Sequence, residues 1–294
     1  MILNKQISFI DKTSQEKRLA RKIFKLDFAI DRVVPYFLET LTLDTDFKPL
    51  PALDRPIYIS GSGASLMQAQ FLAELLQRYL GLPARFYPPF SLKTGFSPRR
   101  GETVIFFSQK LSQTVRNLID YFNRLGINII VFTARGADNL EEEITTYKFL
   151  PYHSFNAGEK MIVPVIGPIS SYLQIIKFIR FLISCYGSLY SPFELHVQDT
   201  IEKIQSSKSR FKELSSKLNP DLLDIPVIII SSGIYMAAAN HMALTLTEGA
   251  LIEAHAYEIE NYTHGLRFYD RNKPRLFIVL NNPAIDPYYQ AVYP

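Results

Sequence analysis

From Pro56 onward the chain repeats one alternation: a short apolar run that stops at Gly or Ser, a stretch with helical spacing, then another short apolar run. Parallel strands cannot be joined by a tight hairpin and need a crossover, usually a helix. This rhythm therefore confines the region to an α/β fold with a parallel sheet flanked by helices. The runs are Ile57–Ser60, Ala84–Tyr87, Thr103–Ser108, Asn128–Thr133 and Tyr147–Leu150. Five such strands predict a doubly wound, flavodoxin-like layer, whose ligands bind at the carboxyl edge of the sheet.

Helical segments frame this layer. Residues 15–40 place Ile23, Leu26, Ala29, Ile30, Val33 and Phe37 on one face, which predicts a packing helix. The most apolar stretch, Met161 to Gly187, is interrupted by Pro164, Pro168, Lys177 and Arg180, so a buried helix is expected rather than a membrane span. A charged amphipathic helix over 193–218 leads into Asn219-Pro220, where we place a domain boundary.

Beyond that boundary the first unit starts again, displaced by 170 positions. Asp54-Arg55-Pro56 is matched by Asp224-Ile225-Pro226, Ile59 by Ile229, Ser62-Gly63 by Ser232-Gly233, and Ala69, Ala73 and Leu76 by Ala239, Ala243 and Leu246. The third strand also recurs, with Arg275 to Leu280 echoing Thr103 to Ser108. The organisation expected is a helical segment (1–50), a first α/β unit (51–190), a helical linker (191–222) and a second, incomplete unit (223–294).

Composition narrows the function classes. With 47% hydrophobic and 20% charged residues, the 294-residue chain has ordinary globular usage. A net charge of +4 from 32 basic and 28 acidic residues, scattered along the chain, argues against nucleic-acid or membrane-surface partners. One cysteine, Cys185, supplies neither a disulfide nor a zinc cluster, and no secretory signal opens the chain, so a cytoplasmic location is expected. His153, His196, His241 and His255 show no metal-ligand spacing, and no cofactor is implied.

Two strand ends carry candidate ligand groups. Ser60-Gly61-Ser62-Gly63-Ala64-Ser65 sits between a strand and a helix, where free amides and the helix dipole attract an anion. The order of residues fits neither the dinucleotide fingerprint, since Leu66 stands where a third glycine belongs, nor a nucleophile elbow. Ser108-Gln109-Lys110-Leu111-Ser112 delivers hydroxyls and an amide to the next helix. Gly63, Ser65, Ser108, Gln109 and Ser112 can therefore converge on one phosphate, although a simple N-cap would equally use Ser112.

The stretch from Ile59 to Pro83 resembles the opening of a sugar isomerase (SIS) domain. The wider chain is similar to two-SIS proteins such as phosphoglucose/phosphomannose isomerases and the isomerase part of glucosamine-6-phosphate synthase. In the second half the likeness rests on Ser232-Gly233-Ile234, the helix through Ala243 to Glu248, Glu253-Ala254-His255-Ala256-Tyr257 and Thr263-His264-Gly265. The resemblance implies two flavodoxin-like SIS units and a phosphorylated sugar as ligand. It further implies a metal-free acid/base pair of Glu248 and, 16 residues on, His264. In the family the histidine reaches a neighbouring subunit's site, which implies a homodimer, and the backbone of Val163 faces the sugar. A carboxylate suits proton movement between C1 and C2 through an enediol, and a histidine suits ring opening. The family's phosphate loop reads Ser-x-Ser-Gly-x-Ser/Thr, whereas Lys110-Leu111-Ser112 follows Ser108-Gln109 here. Two functions follow: aldose-ketose isomerisation of a sugar or amino-sugar phosphate, or non-catalytic sensing of one.

Overall fold

The computed structural model describes residues 47, 53–95, 98–134, 148–151, 166–186, 190–216, 225–250, 252–266 and 274–280. The helix expected over 15–40, the boundary at Asn219-Pro220 and Val163 lie outside the described residues.

Strand β1 (Ile57–Gly61) pairs in parallel with β2 (Ala84–Tyr87) on one side and β3 (Thr103–Phe107) on the other. Strands β4 (Asn128–Thr133) and β5 (Lys148–Pro151) extend the sheet beyond β3. The order β2-β1-β3-β4-β5 is the flavodoxin-like one, and the expected runs agree with the strands to within a residue. All five residues of β3 are buried, as a central parallel strand covered on both faces requires. Period-two alternation divides its side chains. Ile105 and Phe107 join Ile59, Ile130 and Phe132 against α1 (Ala64–Leu80) and α4 (Ile166–Tyr186). Val104 and Phe106 join Ile129 and Val131 against α3 (Gln113–Arg124). The short helix α2 (Pro89–Thr94) precedes β3.

Helix α1 ends where the resemblance had its Leu80-Gly81-Leu82-Pro83. Gly81 adopts the left-handed conformation (φ 63°), its N–H bonds the Gln77 carbonyl and that of Leu82 bonds Leu76, so a glycine-capped end turns the chain into β2. Helix α4 occupies most of the apolar stretch, with Lys177 buried. Among the described residues no helix is long and apolar enough to cross a membrane. Helix α5 (Tyr190–Ser216) is fixed to α4 by the two-pronged Arg180–Glu194 pair at 2.5 Å.

The second unit restarts in register. Strand β6 (Val227–Ser231) leads to α6 (Tyr235–Thr245), and Gly233 (φ 52°) repeats the positive φ of Gly63 (φ 56°). Strand β7 (Ala254–Glu258) stands to β6 as β2 stands to β1, with Val227 opposite Ala254 as Ile57 is opposite Ala84. β8 (Leu276–Leu280) completes the order β7-β6-β8. The repeat thus includes the second strand as well as the first and third. Ala-His-Ala-Tyr-Glu carries too little β-branched character for its sequence alone to mark it as a strand.

The two units meet through α1 and α6. Asn240 Nδ2 donates to Gln70 Oε1 at 3.1 Å, and these residues are equivalent in the repeat, 170 positions apart. Equivalent residues touch each other only near a two-fold axis. The units are therefore related by an approximate two-fold running between the two helices. Beside it, the Tyr172 hydroxyl and His241 Nδ1 lie 2.9 Å apart, which gives His241 a structural role between the units.

Candidate functional site

Crossovers leave β1 and β3 toward opposite faces of the sheet, so the crevice between their carboxyl ends is the topological switch point, the place where open α/β sheets bind ligands. Both serine-bearing turns flank it.

The first turn is shaped by close approach. A Cβ on Gly61 would strike the carbonyl of Ser65, so only glycine allows β1 to run directly under the first turn of α1. Gly63 then takes its left-handed conformation, and Ser65 and Leu66 donate to the carbonyls of Ser62 (3.2 Å) and Gly63 (3.0 Å). Ser62 and Gly63 are exposed, Ser65 is half-buried, and no side chain caps α1. With those two amides engaged within the turn, the uncapped N-terminus offers an anion its remaining amides and the positive end of the dipole.

The second turn is held from below by hydrogen bonds. The N–H of Ser108 donates to the Phe132 carbonyl at 3.0 Å, and the Gln109 carbonyl accepts from Ala134 N (3.2 Å) and Thr133 Oγ1 (3.4 Å). Ser108 Oγ accepts from Ser112 N at 3.2 Å, while Ser112 Oγ accepts from Val115 N at 3.4 Å and caps α3. The N-cap reading of Ser112 is therefore correct. Both hydroxyls act here as acceptors, which leaves each O–H proton able to donate to an anion. Gln109 is half-buried, and Lys110 is exposed at the crest of the turn.

Leu111 has φ 51°, the only positive φ among the described non-glycine residues, and it is 2% exposed. It stands in the altered part of the loop, where glycine would be free of strain. Its side chain is sunk among Val115, Leu118 and Phe122, and its carbonyl accepts from Arg116 Nε at 3.0 Å. The missing glycine was visible in the sequence. That a leucine would take up the left-handed conformation and anchor the loop was not.

Glu248 and His264 are placed apart within the chain. Glu248 is exposed on a π-helical turn (Leu246–Ala250) after α6 and before β7; His264 is exposed on another (Tyr262–Leu266) after β7. They sit beyond opposite ends of a five-residue strand that spans about 13 Å at ~3.3 Å per residue. The other described histidines are engaged elsewhere, His196 with the Tyr79 hydroxyl at 2.7 Å and His255 with Glu253 at 3.2 Å. Among the described residues no three His, Cys, Asp or Glu gather as a metal site.

No family profile matches the chain, and no curated protein does. Solved structures share its fold. The C-terminal domain of glucosamine-fructose-6-phosphate aminotransferase from Francisella tularensis superposes with a TM-score of 0.69 at 14% identity, over 94% of this chain and 79% of that one. Glucosamine-6-phosphate deaminase from Thermotoga maritima gives 0.63 at 17% identity over 95% and 80%. Tagatose-6-phosphate ketose/aldose isomerase from Escherichia coli gives 0.52 at 15% identity over 90% and 70%. The α/β architecture of parallel sheets flanked by helices, expected from the resemblance to two-SIS proteins, is the architecture this chain has.

Proposed function

We propose that this chain is a phosphosugar isomerase that binds its substrate's phosphate at the β1/β3 switch point and interconverts aldose and ketose through an enediol. The observation that carries the reading is the pairing of two hydroxyl-bearing turns across that crevice, on a fold shared with proteins named for hexose-phosphate chemistry. Phosphate oxygens would accept from the amides at the start of α1 and from Ser65, Ser108, Gln109 and Ser112, with Lys110 adding a charge at the rim.

The two-fold relation supports Glu248 as the base. In one direction it brings Glu74 of α1 beside Gly233 and Glu258 of the second unit. The counterparts are Leu244 of α6 beside Gly63 and Pro88, and Glu248 lies one helical turn beyond Leu244. From there a carboxylate takes the proton from C2 and returns it to C1, while the hydroxyl proton moves between O1 and O2. His264, set beyond the far end of β7, would open the sugar ring in a neighbouring subunit's site, so the reading requires a homodimer.

A second reading, a sugar-phosphate sensor without catalysis, is favoured by one observation: the glycine-lacking turn anchored by Leu111 departs from the family loop. The test is NMR-detected C2 deuterium exchange in heavy water with hexose and hexosamine 6-phosphates. Exchange that is lost in Glu248→Gln, with binding retained, is expected; binding without exchange in the unaltered protein would establish the sensor instead.

A further inference from the structure

On the opposite side of the two-fold from the proposed phosphate site lies a cleft of about 360 Å³ between the two units. It is lined by Gln70 and Glu74 of α1, Phe86 of β2, Met236 at the start of α6, and Tyr257 and Glu258 of β7, with Asn261 at its edge. Duplication does not account for its chemistry. The counterparts of Glu74 and Glu258 are Leu244 and Pro88, so the two carboxylates belong to this side alone.

Both carboxylates line the same cleft, and the charge of Glu258 acts on Glu74. Burial first, and then the Glu258 charge, hold the Glu74 carboxyl above the usual carboxylate range. An independent feature also addresses the cleft. Gln70 is 7% exposed, and its Oε1 is fixed by Asn240 Nδ2. Its Nε2 makes no hydrogen bond among the described residues, so it is free to donate into the cleft that Gln70 lines.

No Lys, Arg or His lines the cleft, which disfavours a phosphate. Paired carboxylates favour an ammonium ion, the amides of Gln70 and Asn261 suit hydroxyls, and the rings of Phe86 and Tyr257 offer faces to a cation or to the C–H side of a small polyol. We propose that this cleft is a binding site for a small, hydroxylated primary amine without a phosphate, held by Glu74, Glu258 and Gln70. The site is independent of the isomerase reading, since it shares none of the residues given to the phosphate or the acid/base pair.

The test is calorimetric titration of the full chain with glucosamine, with glucose as the neutral analogue. Glucosamine should bind and glucose should not. Glu74→Gln and Glu258→Gln, both isosteric, should each weaken glucosamine roughly tenfold or more, as loss of a charged hydrogen bond does. Ser65→Ala, which removes a hydroxyl from the other site, should leave it unchanged. Equal binding of glucose, no glucosamine binding up to tens of millimolar, or binding that falls in Ser65→Ala but persists in both glutamine variants would overturn the proposal. None of these outcomes bears on deuterium exchange of a sugar phosphate, so the two readings fail separately.

Discussion

Leu111 sets a left-handed backbone against a buried side chain, and two truncations separate the opposing contributions. Removing the side chain from its place among Val115, Leu118 and Phe122 should destabilise the protein by about 2–5 kcal/mol, as for other buried leucines. At φ 51° a residue with a Cβ pays a further ~1–2 kcal/mol that glycine does not. In Leu111→Ala the packing is lost and the backbone strain stays. In Leu111→Gly the packing is lost and the strain is relieved, partly offset by the ~0.5–1 kcal/mol of extra freedom that glycine has in the unfolded chain. Both variants should be less stable than the parent, and Leu111→Gly should be the more stable of the two by about 0.5–1 kcal/mol. In urea, with a slope of roughly 1–3 kcal/mol per molar, the glycine variant should unfold at a midpoint ~0.2–1 M higher than the alanine variant. At an ordinary negative φ the order would be reversed. An alanine variant equal to or more stable than the glycine variant would show that the loop relaxes once the leucine is gone, and that the turn itself does not require the left-handed conformation.

Two further predictions concern the contact between the units. Burial pushes the His241 imidazole below the ordinary histidine value of about 6.5, so the unfolded chain binds the proton more readily than the folded one. Stability should therefore fall as pH drops below about 6.5 and level off once the folded-state pKa has been passed. Urea midpoints measured across pH 5 to 8 should show this component, and it should vanish in His241→Gln. Gln70 and Asn240 should couple, the double-mutant cycle of their alanine variants giving about 0.5–1.5 kcal/mol; additive effects would mean that the bond at 3.1 Å contributes nothing.

Most of the first sheet was legible because a parallel strand buried on both faces must be a continuous apolar run, and Val-Ile-Phe-Phe or Ile-Ile-Val-Phe admits few other readings. β7 was not legible as a strand, because alternating alanine with His255 and Tyr257 makes no continuous apolar run and has no β-branched residue, and its pairing with β6 is what makes it one. The site divided in the same way. Local features such as the Gly61 turn and the Ser112 cap follow from a few consecutive residues. The strained Leu111 depends on a cavity that α3 provides, and the Glu74–Glu258 approach joins carboxylates from different units. Separations of that order are fixed by how α1 packs on α6, and no spacing rule reports them.

The approximate two-fold has a consequence for how both clefts arise. The cleft lined by Gly233 and Glu74 is made from the strand-to-helix turn of the second unit and the flank of the first unit's first helix, and on the proposed phosphate side the two-fold would set Gly63 against Leu244 in the same way. Duplication implies an equivalent hollow on the other side of the axis, and substitution has made the two sets of residues chemically unlike. In the proposed phosphate site the Ser65 and Ser108 hydroxyls and the rim Lys110 would border the ligand, while Glu74 and Glu258 line the other cleft, their equivalents in the repeat being Leu244 and Pro88. The two proposals accordingly put an anion and a cation on opposite sides of one axis. Because Gln70 and Asn240 bond to each other on that axis, the hydrogen bond that joins α1 to α6 lies between the two proposed sites, and Gln70 itself lines the cleft that holds Glu74.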